Sequence, residues 1–363
     1  MPTSPAAPKN NSHINKVTSR GIETNDREIK DRLRVVLLVL LMPHPRDTRN
    51  KAIHQNQKKI GEKTMKKVLI VLLTLTMVVC STGFYVCADG SGSNSNQPIT
   101  VMSFNVKVEV LKNGRDDLVI ATIQENAPDI FGVQEADITW MNTLKNGLPG
   151  YAAIGTGRDW WGAGEHCAIF YRTDLFTPIA SDTRWLSATP TSESLYSYTE
   201  NGTTYTANDK RIMTYAVLER ISDGKRFLVV NTHLDNNGDN TLAVAEKIRQ
   251  GQIAVMLQQI QGVLNVRGNL PTIVLGDFNA TPEKSARAAM LSNGYFDASA
   301  IAAQGTASST YNGMTEGTSA ILDYIFVSSN LANAVETYTV CPAKRNGEWI
   351  SDHNAIVATI TLP

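Results

Sequence analysis

Short apolar runs that end in an acid, an amide or a histidine recur along this chain, and they constrain its fold more than any other feature. Val101–Phe104 leads to Asn105, Ile130–Val133 to Gln134-Glu135, and Thr272–Leu275 to Gly276-Asp277-Phe278-Asn279. Asn231-Thr232-His233 closes another such run, Leu322-Asp323-Tyr324 opens one, and Ser351-Asp352-His353 stands just before the last. Apolar runs this short, bounded by turn residues, read as buried strands. Each strand then delivers a polar side chain at one end.

The rest of the pattern fits packed sheets with helices outside. Strands are expected over 100–106, 129–134, 165–171, 271–276, 321–327 and 355–362. Residues 212–220 and 225–232 read as a hairpin across Ser222-Asp223-Gly224. Helical spacing of small and apolar residues predicts helices over 116–126, 137–146, 241–265 and 283–292. Strands and helices alternate, but hairpins interrupt them. That favours two packed sheets flanked by helices over a simple parallel sheet.

The first 97 residues read differently. Met65-Lys66-Lys67 precedes the 12-residue apolar run Val68–Val79, and Val86-Cys87-Ala88 offers a signal-peptidase site. Twelve residues are short for a membrane span, which needs about 20, so 65–88 is expected to be a secretory signal; a short membrane anchor is the alternative. Residues 1–64 are expected to be a mis-assigned or disordered extension, with Met65 the true start. Residues 89–97 read as a flexible linker, and 98–363 as the folded domain. The protein is thus expected to be exported. A lipid anchor at Cys80 would need a small residue where Val79 stands.

Charge divides along the same boundary. Residues 98–363 hold 19 Lys and Arg against 27 Asp and Glu, a net −8. Proteins that grip duplex nucleic acid neutralise many phosphates with basic side chains; this domain would do so against its own field. It holds two cysteines, Cys167 and Cys341, too few for a disulfide scaffold. No Cys/His cluster suggests zinc.

The strand-end residues are oxygen donors and imidazoles, the equipment for divalent-metal hydrolysis of a phosphate ester. Glu135 at a strand end suits a hard cation, with Asn105 near it; a solvated Glu that merely ends a strand has the same local sequence. Asp277 and Asn279 follow a buried strand, as an Asx turn would, and Phe278 should point back into the core. In an extended segment Asp352 and His353 point to opposite sides, so they serve different tasks. His353 needs an orienting partner, for which Asp323 is the candidate. His166 reads as structural.

Together these motifs resemble those of the endonuclease/exonuclease/phosphatase superfamily, over essentially all of 98–363. The resemblance implies an α/β fold, a four-layer α/β sandwich of two packed mixed β-sheets flanked by helices. It implies an enzyme, a metal-dependent hydrolase of phosphate ester bonds using Mg2+ or Mn2+. Carried over by position, Glu135, Asn105 and Asp352 serve the metal. Asp277 orients or deprotonates the attacking water, Asn279 holds it, His353 binds a phosphoryl oxygen with Asp323 behind it, and His233 contacts the scissile phosphate or leaving group. Arg211, Asn231, Glu165 and Trp160 are assigned to the substrate, Trp160 with Trp161 as a stacking surface.

The leading expectation is an exported phosphoesterase. A secreted nuclease and a sphingomyelinase-like lipid phosphodiesterase share the chemistry. A non-catalytic binding protein on the same scaffold would be marked by loss of Glu135, Asp277 or His353, and all three are present. The charge favours a small or single-stranded substrate over duplex DNA. No obligatory protein partner is evident, and a monomer is expected.

Overall fold

A computed structural model describes residues 97–108, 114–238, 240–305 and 307–363. The expectations for 1–64, for the signal at 65–88 with Cys80, and for nearly all of the 89–97 linker lie outside the described residues.

Two mixed sheets carry the fold. The first joins β1 (Ile99–Asn105), β2 (Ile130–Ala136), β3 (Tyr151–Ile154), β4 (Gly157–Asp159), β5 (Ala163–Arg172), β13 (Gln304–Gly305), β15 (Val335–Cys341) and β18 (Ala355–Ile360). Their order is β13-β15-β18-β1-β2-β5-β3, with β4 added on β5. The second joins β6 (Phe176–Trp185), β9 (Ile212–Arg220), β10 (Arg226–His233), β11 (Thr272–Asp277), β12 (Tyr295–Asp297) and β14 (Asp323–Ser328), in the order β12-β14-β11-β10-β9-β6. Two hairpins, β7 (Ser197–Glu200) with β8 (Thr203–Thr206) and β16 (Lys344–Arg345) with β17 (Glu348–Trp349), stand apart. In each sheet a parallel pair sits at the centre, β1 with β2 and β10 with β11, and the pairs flanking it are antiparallel.

Period-two alternation sorts the strand side chains into layers. Val101, Ile130, Ile169, Val229, Ile273, Leu275, Ile325 and Ile356 meet in one cluster drawn from both sheets, the core between them. Their neighbours Met102, Phe131, Val133 and Phe170 face the other way, onto the helices α1 (Arg115–Asn126) and α2 (Ile138–Gly147) through Ile123, Trp140 and Leu144. On the far side Val217, Leu228, Val274 and Phe326 face α3 (Leu242–Arg267) and α4 (Ser285–Ser292) through Ile253, Met256 and Met290. The result is the expected four-layer α/β sandwich. A short helix α5 (Ala298–Ile301) adds Ala298 to the inner core.

Caps set the helix starts. The Asp137 side chain accepts from Trp140 N–H at 2.9 Å at the start of α2, and Thr241 caps the 26-residue α3, each satisfying a donor that the first turn leaves open. Strands expected from sequence extend one to three residues differently. The structure adds Phe176–Trp185 and Val335–Cys341, both full-length strands that the pattern did not show. The hairpin across 222–224 is present, with Arg226 pairing Glu219.

Candidate active site

Register brings the polar strand ends together. In the second sheet His233 pairs Asp277 across β10 and β11, and Asp277 pairs Asp323 across β11 and β14. In the first sheet Asn105 pairs Gln134. Asn105, His233, Asp277 and Asp323 all have the parity of the inner-core residues on their own strands, so they lie at one end of the space between the sheets. Gly276 permits the close spacing: a Cβ there would come within 2.1 Å of the Thr232 carbonyl oxygen, at a φ of +150°.

Asp277 is the centre of the group. Its Oδ1 accepts from the Asn279 backbone N–H at 2.8 Å and its Oδ2 from Asn105 Nδ2 at 3.1 Å. The same Oδ2 lies 3.4 Å from His233 Nε2 and 3.6 Å from His353 Nε2. Burial pushes the Asp277 carboxyl up to about 7, which places a proton acceptor near neutral pH.

The two histidines are in opposite states. His353 Nδ1 donates to Asp323 Oδ2 at 2.8 Å in a buried pair. Burial alone would lower its pKa, but the Asp323 and Asp277 carboxylates outweigh this and raise it to about 10. His353 is therefore cationic at neutral pH. Thr310 Oγ1 accepts from the Asp323 N–H, and the Tyr311 ring lies edge-on to the His353 ring at 5.0 Å. His233 is held well below its ordinary value by burial, then by Arg211 and His353. Geometry agrees: the Asn279 amide is fixed by Nδ2–H donating to the Leu234 carbonyl, so its nitrogen also faces His233 Nε2, at 2.9 Å. Nε2 must accept, and the proton sits on Nδ1, a buried atom without a hydrogen-bond partner.

On the other side are Glu135 and Asp352. Alternation alone would send Glu135 to the outer face with Phe131 and Val133. A bulge in β2 between Val133 and Ala136, with Glu135 at φ +59°, brings it round. Its Oε1 accepts from Asn105 Nδ2 at 3.0 Å and its Oε2 from Val108 N–H. Asp352 Oδ2 accepts from Lys107 Nζ at 3.1 Å, while its Oδ1 is buried without a partner. Burial pulls Arg115 below its ordinary value, while the charges of Asp352 and Glu135 push back. These carboxylates, all hard oxygen donors with one unsatisfied buried oxygen, fit a hard divalent cation. Asn105 Oδ1 accepts from Lys107 N–H at 3.0 Å, so the amide turns its NH2 to the acids. As an oxygen ligand it would have to flip against that bond.

Ligand atoms of Asp277, Asp323 and His353 also lie close enough to hold an ion. Asp323 and His353 are, however, bonded to each other, which leaves the Glu135–Asp352 side as the better cation position.

A narrow cleft opens beside the group, lined by Glu135, Arg158, Glu165, His166, Lys210, Arg211 and His233. Arg158 Nη2 pairs with Glu165 at 2.9 Å and Asp209 at 3.3 Å, and Lys210 pairs with Asp159 and Glu193. Sequence reasoning missed Arg158 and Lys210; Arg158-Asp159 and Asp209-Lys210-Arg211 were their only signal, charged residues beside a Gly-rich turn and a strand start. His166 lines this cleft, with its Nδ1 bonded to the Ala136 carbonyl at 2.9 Å. Cys167 and Cys341 are both free thiols. Trp160 and Trp161 are 71 and 101 % exposed on a turn directly after Arg158-Asp159, and neither lines the cleft.

Asn231 requires a correction. Assigned to substrate from its motif, it is 0 % exposed, two residues deeper than His233 on the same face. Its Nδ2 donates to the Val133 and Ala168 carbonyls at 2.9 and 2.8 Å, and its Oδ1 accepts from Gln134 Nε2 at 2.7 Å. The amide joins the two sheets and does not reach a ligand.

Nocturnin of Mus musculus is 25 % identical over 216 residues, covering 52 % of this chain and 45 % of its own. The chain thus spans about half the length of the curated relatives it matches. A family protein of Bacteroides vulgatus superposes with a TM-score of 0.64 at 29 % identity, over 74 % of this chain and 100 % of that one. A mannosyl-6-phosphatase of Bacteroides thetaiotaomicron superposes with a TM-score of 0.61 at 28 % identity, over 72 % and 99 %. The sequence model of the Endonuclease/Exonuclease/phosphatase family matches residues 102–353, and the chain is therefore an enzyme of that family.

Proposed function

We propose that this protein is an exported, divalent-metal-dependent hydrolase of a small phosphate ester, with a sugar phosphate the first substrate class to test. One observation carries the reading: Asp277 stands between a cationic His353 and a neutral His233, beside Asn279. A bound divalent cation, held by Glu135 and Asp352, would supply positive charge against the phosphoryl oxygens. His353, kept protonated by Asp323, binds and neutralises a phosphoryl oxygen as charge grows there. Asp277 accepts the proton of an aimed water. The neutral His233, held at Nε2 by the Asn279 amide, stands beside the scissile phosphate or leaving group. Arg211, in the cleft wall, receives the phosphate.

The small substrate is argued from charge and from likeness. A net of −8 opposes a long polyanion. Arg158, Lys210 and Arg211 are each paired with carboxylates, so positive charge is local to the cleft. The Bacteroides thetaiotaomicron protein described as a mannosyl-6-phosphatase shares 28 % identity over nearly its whole length. Export is argued from residues 65–88. The test is a panel of hexose phosphates, inositol phosphates, sphingomyelin, single-stranded RNA and plasmid, each with magnesium and with EDTA. Fastest magnesium-dependent turnover of a hexose phosphate supports the proposal. Fastest turnover of RNA or plasmid, lost in Asp277→Asn, replaces it with a nuclease.

A further inference from the structure

We propose that Asp235, together with Asp209, is a positioning residue that aims Arg211 at the phosphoryl group of the substrate. The inference rests on Arg211 as the phosphate anchor in the reading above.

Asp235 lies two residues beyond His233 and is fully buried. Its Oδ2 accepts from the Asn208 N–H at 3.2 Å and its Oδ1 from the Asp209 N–H at 3.1 Å. One carboxylate thus clamps the backbone that leads into Arg211. The same Oδ1 lies 3.7 Å from Arg211 Nε, a buried atom with no hydrogen bond of its own. Asp209 Oδ2 accepts from Arg211 Nη2 at 3.2 Å. The guanidinium is therefore held along its Nε edge by one carboxylate and at Nη2 by the other, while Arg211 lines the cleft with Glu135 and His233.

Asp235 is itself anchored. Its N–H donates to Gln252 Oε1 at 2.9 Å, and its carbonyl accepts from Arg249 Nη1 at 3.0 Å. Both partners are buried residues of α3. A rigid path runs from the helix through Asp235 to Arg211.

A latch for stability alone would not need a charge here. An amide or hydroxyl would accept from a backbone N–H without burying an ion, and burying an ion is costly unless it is paired. The charge of Asp235 gains its use from the guanidinium opposite. Arg in turn needs fixed orientation to present its planar fork to a phosphate.

The test is a double-mutant cycle on the full chain, read as the dissociation constant for inorganic phosphate in the presence of magnesium, with circular dichroism to confirm folding. Arg211→Gln and Asp235→Asn should each weaken phosphate about tenfold, and the double variant should bind like Arg211→Gln alone, within about twofold. Asp209→Asn, at a part-exposed position, gives the same cycle and decides the question if Asp235→Asn does not fold. Asp209 also holds Arg158, so only the part of its effect that vanishes in the Arg211→Gln background counts. Additive losses, or wild-type phosphate binding by folded Asp235→Asn, overturn the proposal. Wild-type phosphate binding by Arg211→Gln removes the anchor and the proposal with it. The hydrolase reading would still stand or fall separately, on the turnover of Asp277→Asn.

Discussion

Asp323→Asn is the sharpest perturbation of this site, because it removes one charge and almost no volume. Asp323 contributes a single 2.8 Å bond to His353 and the largest of the influences that raise that histidine. A hydrogen bond to a charged partner contributes about 1.5–3 kcal/mol. At 1.36 kcal/mol per tenfold, its loss in the transition state slows turnover roughly 10- to 150-fold. The pH dependence separates this from general damage. A histidine whose folded pKa is raised adds stability that is whole below its unfolded value, about 6.5. That stability is lost as pH rises through the folded value, about 10 here. Wild type should therefore hold activity and melting temperature into the alkaline range before declining. In the variant His353 loses its proton much earlier, so the deficit should widen between pH 6 and pH 8. Asp323 is also one of the charges that raise Asp277, so the acid limb shifts in the variant and the diagnostic part of the ratio is its alkaline side. The assay is kcat/KM of both proteins from pH 5.5 to 9.5 with excess magnesium, alongside thermal melts. A ratio that stays flat with pH, or near one throughout, refutes the assignment of His353 as a cation maintained by Asp323.

Further outcomes follow from the same geometry. Asp277→Asn should fold normally by circular dichroism and lose on the order of a hundredfold or more in kcat; a wild-type rate sinks the general-base role. EDTA should abolish turnover and magnesium or manganese restore it. The divalent ion should also raise the melting temperature of wild type but not of Glu135→Gln/Asp352→Asn, which reports on the cation position without any substrate. Asn231→Leu should cost roughly 3–9 kcal/mol in urea unfolding, since it removes a partner from the Val133 and Ala168 carbonyls and from Gln134 at about 1–3 kcal/mol each. A raised KM with unchanged stability would return Asn231 to the substrate. A chain beginning at Gln97 should be as active as the full chain, and exported protein should begin near Asp89; finding residues 1–64 on it would contradict the proposed export signal.

The strands that bear the site were legible because they are central. Val101–Phe104, Ile130–Val133 and Thr272–Leu275 are buried on both faces, so each reads as a mostly apolar run. Phe176–Trp185 was not legible for the opposite reason. It is an edge strand of the second sheet, and Thr177, Pro178, Ser181, Asp182 and Arg184 break the run. The candidate residues stood out in sequence because each lies at or close to the end of a core strand. Depth could not be read. Asn231 and His233 share a motif and a face, but two residues of strand, about 6.6 Å, separate a buried cross-sheet bond from the cleft. Cross-chain partners were equally invisible: nothing near Arg211 in sequence announces Asp235.

That depth difference explains how a charged site can end an apolar core. Along the inner face the side chains pass from Val101, Val229 and Ile273 to Ser103, Asn231 and Leu275, and then to Asn105, His233 and Asp277, with Gln134 paired beside Asn105. Ser103, Asn231 and Gln134 are neutral and linked to one another: Gln134 Nε2 bonds both Ser103 and Asn231. They bring no charge of their own, so the medium behind Asp277 stays poorly polarisable. A carboxylate set against such a medium is desolvated without being neutralised, which is the condition that lifts Asp277 toward 7. Among the strand residues of the site, Glu135 stands outside this gradient, because its parity is wrong. It reaches the site only through a bulge and a left-handed backbone, a local cost of about 1–3 kcal/mol that the flanking strand pairs hold in place. The inner face thus grades into Asn105, Asp277 and His233 by simple alternation, while Glu135 is placed by its bulge.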